Sequence, residues 1–389
     1  MFHSIEEAVS ELKSGKPIIL ASREKNAGDL LLLSEQAVPE AIQFMADNGK
    51  GLIRIAITAA IGRKLGLFHH GIKLSVALDH KDAVEGISAK DRADTIHKMI
   101  QPETGELDFK QPGHVLPIIA AERGVLQDQG FAEAAVDLAI LAGAIPSGVI
   151  CEILNDTGSL QGLDELAGFA AAHSLKLVSV EDLAEYRKGN ENHVKREVET
   201  VLPSAFGDFR IVGYSNDLDD KEHIAIVKGD VASGEPVLAR IHSECFTGDI
   251  FGSHRCDCGP QLHAALAKIE QTKRGVIIYM RQEGRGIGLI NKLRAYKLQD
   301  EGRDTHQANV ELGFKPDARE YHLAAQILQD LGIGQVDLMT NNPDKITALE
   351  ACGVPVHDRV PLQVEFHKEN EHYMETKMKK FGHMLDLHS

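Results

Sequence analysis

Between Ser243 and Gln261 the chain reads Ser-Glu-Cys-Phe-Thr-Gly-Asp-Ile-Phe-Gly-Ser-His-Arg-Cys-Asp-Cys-Gly-Pro-Gln, so three of its five cysteines fall within fourteen residues. Most residues between Cys245, Cys256 and Cys258 are polar, charged or glycine, which places the sulfurs poorly as core filler. A hairpin or tight loop can close such a set around one Zn²⁺. Three protein thiolates then leave the fourth tetrahedral position open, as catalytic rather than structural zinc requires. A bridge between Cys256 and Cys258, one residue apart, is a strained alternative, and no signal peptide points to an oxidising compartment. The spacing points to an enzyme.

At 389 residues the chain is long enough for two or three domains, each with its own core. Its start, Met-Phe-His-Ser-Ile-Glu-Glu, lacks a basic segment and an apolar run, and no stretch approaches the length of a membrane span. The expectation is a cytoplasmic protein with no membrane partner. A formal net charge of -16 opposes binding to nucleic acid, whose affinity rests on Lys and Arg contacts to phosphate. Arg240, Arg255, Arg281, Arg285, Arg294, Arg319 and Lys345 nevertheless accompany the cysteine cluster, and suit a small phosphorylated anion better than a polymer.

Along the chain, apolar runs at 17–21, 52–57, 74–78 and 148–154 alternate with helical periodicity at 91–100, 132–143 and 163–174. The polar segment 185–196 reads as a linker or a fraying helix end. The expected organisation is two mixed α/β (α+β) domains, 1–196 and 197–389. The second opens with strand-like runs at 209–213, 223–227 and 237–242. A helix at 260–271, a strand at 275–281, a glycine-rich turn and a helix from about 287 to 299 follow. Further helices are read at 319–331 and 344–352, with a strand at 335–339 between them. The tail 370–389, with three lysines, three histidines and three acidic residues, is helical-looking. Gly284, Gly286 and Gly288 lie between a strand and a helix, where backbone N–H groups can approach an anion.

Taken with the cysteine loop, the second half resembles GTP cyclohydrolase II, the zinc enzyme that opens the guanine ring at the start of riboflavin synthesis. The likeness is carried by Arg240-Ile-His-Ser-Glu-Cys, Thr247-Gly-Asp, Arg255-Cys-Asp-Cys-Gly, Arg281-Gln-Glu-Gly-Arg, Asn291-Lys-Leu-Arg-Ala-Tyr, Gly313-Phe-Lys-Pro-Asp-Ala-Arg and Thr340-Asn-Asn-Pro-Asp-Lys. The resemblance implies one zinc per chain on Cys245, Cys256 and Cys258, delivering hydroxide to C8 of the imidazole ring. It implies that Arg319 attacks or electrostatically stabilises the α-phosphorus, that Asp317 holds Arg319, and that Tyr296 assists proton transfer or orientation. Arg240, Glu244, Gln261, Glu283, Gly284, Arg285, Thr305, Thr340 and Lys345 match positions that hold GTP, with Glu283 accepting from guanine N1–H and the exocyclic amine. Pyrophosphate release implies Mg²⁺. A homodimer is also expected.

The first half is similar to 3,4-dihydroxy-2-butanone 4-phosphate synthase, through Gly28-Asp-Leu, Gly51-Leu-Ile, Gly86-Ile-Ser-Ala-Lys-Asp-Arg, Pro112-Gly-His-Val, Glu133-Ala-Ala-Val-Asp-Leu and Gly148-Val-Ile-Cys-Glu-Ile. Where that family reads Arg-Glu-Asn-Glu-Gly-Asp-Leu, this chain has Glu24-Lys-Asn-Ala-Gly-Asp-Leu, so Lys25 and Ala27 replace both glutamates; Phe131 replaces its metal-binding histidine. Val84 and Glu85 stand at a Thr-Thr pair that meets phosphate, Arg54 replaces a Cys, Gln111 replaces an Arg, and the segment 68–73 is shortened. Divalent-metal chemistry needs its ligands. The expectation is a degenerate synthase domain that keeps His114, Asp29 and Glu152 as structural remnants. The alternatives are a bifunctional enzyme, or a regulator that binds GTP without turning it over.

Overall fold

The computed structural model describes residues 2–69, 72–73, 76–314, 319–362, 364, 382 and 384. It divides into two compact units, Met1–Asn190 and Glu191–Ser389. The division falls before the expected 196/197 boundary because 185–196 is a helix end, one of its two readings, followed by the start of a strand. Its beginning completes the helix Val180–Asn190, and its end enters the strand Val194–Ser204, paired antiparallel with Gly207–Asn216. Val194–Ser204 is an edge strand exposed along nearly its whole length, so Lys195, Arg196, Glu197 and Glu199 face water and blunt the open edge. A strand with two wet faces carries the same composition as a loop.

The first unit is built on a seven-stranded mixed sheet in the order Leu78–His80, Phe109–Ile119, Arg54–Ile57, Ser147–Glu152, Ala27–Leu33, Ile18–Ser22, Leu177–Ser179. Ile18–Ser22 and Ala27–Leu33 are buried throughout, which is why they read as unbroken apolar runs rather than as alternation. The strand period of two still sorts their side chains. Ile19, Ala21, Leu30 and Leu32 join a core that includes Ile96 and Met99 of the helix Ala89–Ile100. Ile18, Leu20, Leu31 and Leu33 join another with Leu138 of the helix Phe131–Leu141. Helices thus cover both faces.

The second unit's sheet runs Val194–Ser204, Gly207–Asn216, His223–Lys228, Gly275–Met280, Val237–Ser243, Val336–Met339, Val356–Val360. Pairing is antiparallel as far as Gly275–Met280 and parallel from there onward. In register, Ser243 lies opposite Met280 and Ala239 opposite Leu338. The cysteine loop, the glycine turn and the Thr340-Asn-Asn segment therefore all leave the sheet at the carboxyl ends of adjacent parallel strands, the edge at which α/β sheets bind ligands. The expected helices are present as Cys258–Thr272, Leu289–Asp300, His322–Asp330 and Pro343–Ala351. An unanticipated helix, Thr305–Glu311, starts at a capping box in which Asp304 accepts from Gln307 N–H and the Gln307 side chain accepts from Asp304 N–H. Asp317 and most of the tail 370–389 lie outside the described residues. No described helix is long and apolar enough to cross a membrane.

Asp304→Ala removes one of these cap bonds and should cost about 1 kcal/mol locally. Hydrogen exchange of the Thr305–Glu311 amides should accelerate by about fivefold, since opening there reports local stability. Unchanged exchange would mean that tertiary contacts alone hold the helix.

Candidate active site

Cys245 follows the strand Val237–Ser243 and caps the short helix Phe246–Asp249, while Cys258 opens the helix Cys258–Thr272. The ligating atoms of Cys245, Cys256 and Cys258 all lie within 4.8 Å of one another, with 3.5 Å between the Cys245 and Cys256 sulfurs. Gly248 makes this approach possible. A Cβ there would stand 2.8 Å from Cys256 Sγ, closer than side chains come, and 3.0 Å from Cys245 Sγ, a tight contact. Behind the cluster, Asp249 accepts from Cys245 N–H at 3.0 Å and from the Tyr279 hydroxyl at 2.8 Å, and lies 3.2 Å from His242 Nε2. Burial pushes His242 down, so the ring is neutral and Nε2–H donates to Asp249.

The donor set fits a divalent thiophilic ion. In the protein alone the three thiols share their charge unequally: hydrogen bonds from Cys256 and Cys258 hold Cys245 far below the usual thiol range. Their partners pay in the opposite sense, Cys256 being pushed up to about 11 by its bond to Cys245, and Cys258 well above the ordinary value by its bonds to both. A metal cation removes that competition and lets all three ionise. Sulfur-only ligation at this number and spacing suits zinc.

The glycine turn Glu283–Gly286 follows the strand Gly275–Met280. Gly284 and Arg285 have φ of 63° and 62°, so Arg285 is a bulky residue held in the left-handed region, at a cost of about 1 kcal/mol or more. Glu283 is buried. One carboxylate oxygen accepts from Phe246 N–H at 2.6 Å; the other accepts from Gly284 N–H at 2.9 Å and from the Lys292 ammonium at 2.8 Å. Its carboxylate is therefore a brace between the cysteine loop and the glycine turn, with about one acceptor site left for a ligand.

Arg240 is also buried, donating from Nη1 to Met339 O at 2.9 Å and from Nη2 to Gln261 Oε1 at 2.5 Å. Gln261 Nε2 in turn donates to Asp257 Oδ2 at 2.6 Å. Arg240 Nε is buried with no acceptor among the described residues, a donor suited to an anion. From the third parallel strand, Asn342 caps the helix Pro343–Ala351, and Lys345 in its first turn donates to Ile241 O at 2.9 Å. Tyr296, on the helix Leu289–Asp300, has its hydroxyl 3.3 Å from Thr247 Oγ1 and its ring 5.0 Å from the Arg255 guanidinium. Burial raises the Tyr296 phenol, which keeps its proton available for donation.

Most of these groups line one cavity that opens to solvent. The three cysteines, Arg319, Tyr296, Arg240, Glu244, Gln261, Glu283, Gly284, Arg285, Thr305, Thr340 and Lys345 all contribute to its wall, as does Arg255. Arg281 and Arg294 do not. They are exposed, with Arg281 Nε 3.7 Å from Glu244 Oε2 and Arg294 Nη1 donating to Asn291 Oδ1 at 2.8 Å. The wall includes residues that sequence reasoning missed: His242, two positions after Arg240 on the same strand face, and Lys292, one helical turn before Tyr296.

In the first unit, Arg54 Nη2 lies 2.6 Å from Asp29 Oδ2 and 2.9 Å from Glu152 Oε1, so the arginine bridges two of the retained acidic residues. Burial pushes the Asp29 carboxyl up to about 7 against the pull of Arg54. Lys25 and Phe131, which stand where metal ligands were expected, meet each other: the ammonium sits 5.5 Å from the ring centroid, within cation–π range. The retained His114 is paired with Asp79 at 2.8 Å.

Comparison with known proteins matches each unit separately. The family model of 3,4-dihydroxy-2-butanone 4-phosphate synthase covers residues 6–186, and that of GTP cyclohydrolase II covers 195–361. The riboflavin biosynthesis protein RibBA of Bacillus cereus (strain B4264) is 52% identical over 397 residues, covering 100% of both chains. RibBA of Bacillus mycoides (strain KBAB4) is 52% identical with the same coverage. Among solved structures, RibBX, a two-domain 3,4-dihydroxy-2-butanone 4-phosphate synthase from A. baumannii, is 28% identical with a TM-score of 0.64, covering 93% of this chain and 100% of that one. The chain belongs to the RibBA family of riboflavin biosynthesis proteins.

Purified protein should carry about one zinc per chain, and Gly248→Ala should lose most of it, because the new methyl group occupies the space of two sulfurs. Elemental analysis of the wild type and variant decides. Full zinc in the alanine variant would disprove the packing argument.

Proposed function

We propose that this RibBA-family chain is a zinc-dependent GTP cyclohydrolase II, converting GTP to 2,5-diamino-6-(5-phosphoribosylamino)pyrimidin-4(3H)-one, formate and pyrophosphate, and that its first unit lacks synthase activity. The cyclohydrolase reading rests above all on the three-thiol cluster opening into the same cavity as Arg240, Arg319 and Lys345. Zinc held by Cys245, Cys256 and Cys258 supplies Lewis acidity for activating water at neutral pH. Around it the chain's own groups divide the work.

Arg240, Arg285 and Lys345, with the N-terminus of the helix Pro343–Ala351, provide the positive potential that holds the triphosphate. Arg319 stabilises charge developing on the α-phosphoryl as pyrophosphate leaves; a guanidinium stays protonated, which favours electrostatic work over nucleophilic attack. Asp317 orients Arg319 in this scheme. Tyr296, protonated, donates toward the opening ring. The remaining acceptor site of Glu283 reads guanine, with Glu244, Gln261, Gly284, Thr305 and Thr340 completing the pocket wall. Mg²⁺ bound with the substrate would offset the charge of the departing pyrophosphate and would need few protein ligands. The protein works in the cytoplasm as a homodimer.

The inactive-synthase reading rests on what the replacing side chains do. Lys25 and Phe131 meet each other, and the Arg54 guanidinium occupies Asp29 and Glu152, so cations stand where a divalent metal would have to bind. A second reading, with both units active, is favoured by the RibBA name of relatives that match the chain end to end.

Incubation with GTP, Mg²⁺ and Zn²⁺, read by product mass, should yield the diaminopyrimidine and formate. Arg319→Ala should slow pyrophosphate release by about a hundredfold or more with zinc content unchanged. A wild-type rate in that variant would make Arg319 a bystander. With ribulose 5-phosphate and excess Mg²⁺ the full-length protein should release no formate, whereas robust butanone phosphate formation would establish the bifunctional reading instead.

A further inference from the structure

Lys292 has two anionic neighbours and little water. Its ammonium lies 3.0 Å from Cys245 Sγ and 2.8 Å from Glu283 Oε1, and its side chain is 11% exposed. A lysine on a helix next to a cavity ordinarily extends its flexible stem to solvent. Here the stem is folded back onto a sulfur that the cyclohydrolase reading assigns to zinc.

Charge explains the arrangement. Three thiolates on a divalent cation leave a net negative centre, and burying uncompensated charge is expensive unless a counter-charge accompanies it. Lys292 brings that counter-charge to Cys245 Sγ, to which its ammonium donates. Through Glu283 it also closes a chain of bonds: Lys292 to Glu283, Glu283 to Phe246 N–H, and Phe246 next to Cys245. Tyr296 sits one turn along the same helix, with Lys292 Nζ 5.8 Å from its ring.

We infer that Lys292 is a positioning residue of the metal centre: it balances the charge of the Cys245 thiolate, limits that sulfur's electron donation, and fixes the helix bearing Tyr296 against the cysteine loop. The inference rests on the zinc reading above. Groups around a metal's ligands that hydrogen-bond to them commonly change metal affinity about 10- to 100-fold when removed. A neutral substitution at Lys292 leaves the thiolate less stabilised, so its lone-pair energy rises and ligand-to-metal charge transfer needs less energy.

The experiment uses the full-length protein loaded with Co²⁺ as a spectroscopic probe, with zinc affinity measured by chelator competition. Lys292→Met should move the thiolate-to-cobalt charge-transfer band to longer wavelength and change zinc affinity about tenfold or more. Lys292→Arg keeps the charge and should stay near wild type in both. Wild-type band and affinity in the Met variant, or equal changes in the Met and Arg variants, overturn the inference. Should the Met variant not fold, Lys292→Gln carries the same comparison. Cys256→Ser serves as the control for the underlying reading: an unaltered cobalt spectrum there defeats the three-thiolate centre itself, while a lost spectrum beside an unaffected Lys292→Met defeats only the role of Lys292.

Discussion

Parallel pairing of Val237–Ser243 with Gly275–Met280 on one side and Val336–Met339 on the other is the constraint on which the second unit's chemistry depends. Parallel strands end at one edge, so segments separated by some tens of residues in sequence emerge side by side. The cysteine loop, the glycine turn and the Thr340-Asn-Asn segment are each polar and irregular, and none of them has enough apolar surface to hold its own shape. Their geometry is borrowed from the buried strands, whose Ile241, Ile278 and Leu338 are almost inaccessible to water.

What the sheet brings together, buried polar groups lock. Glu283 takes three donors from two loops and a helix, Asp249 takes the backbone of Cys245 and the Tyr279 hydroxyl, and Asp257 fixes the amide of Gln261 against Arg240. Each acid is largely buried, and each is satisfied, as the low dielectric of such a site demands. The arrangement leaves the three cysteines, Arg240 and Tyr296 lining a common cavity. It also changes how Glu283 is understood: a residue whose motif suggests direct recognition of a base is first a structural brace.

The first unit follows the opposite logic. Its sheet and two-faced core are intact, with apolar side chains sorted by strand period onto both sides. Beside that core, charged side chains interact with one another: Arg54 lies between Asp29 and Glu152, and Lys25 lies against Phe131, contacts on which the proposed loss of the metal chemistry rests. Core packing depends on shape and hydrophobicity spread over many residues, whereas a metal site depends on a few ligands, so the two are separable under substitution.

The amino-acid sequence by itself determined the mixed α/β class, the buried strands and the cysteine cluster, because these are encoded by local composition and close spacing. Motif resemblance extended that to distant residues such as Arg319 and Thr340, which no local pattern would connect to Cys245. The limits are equally physical. Segment 185–196 reads as a linker or a fraying helix end because an exposed helix end and the start of an edge strand wet on both faces share a linker's composition. The helix Thr305–Glu311 is short, and its capping box was the one local signal for it. Lys292 reads as an ordinary helical lysine, since nothing in its neighbourhood along the chain reveals a thiolate 3.0 Å away. Only the tertiary structure decided which charged residues reach the cavity. Arg240 and Arg255 line it while Arg281 and Arg294 remain outside, because the direction of a side chain is set by its place on a strand or helix and by the partners that packing supplies.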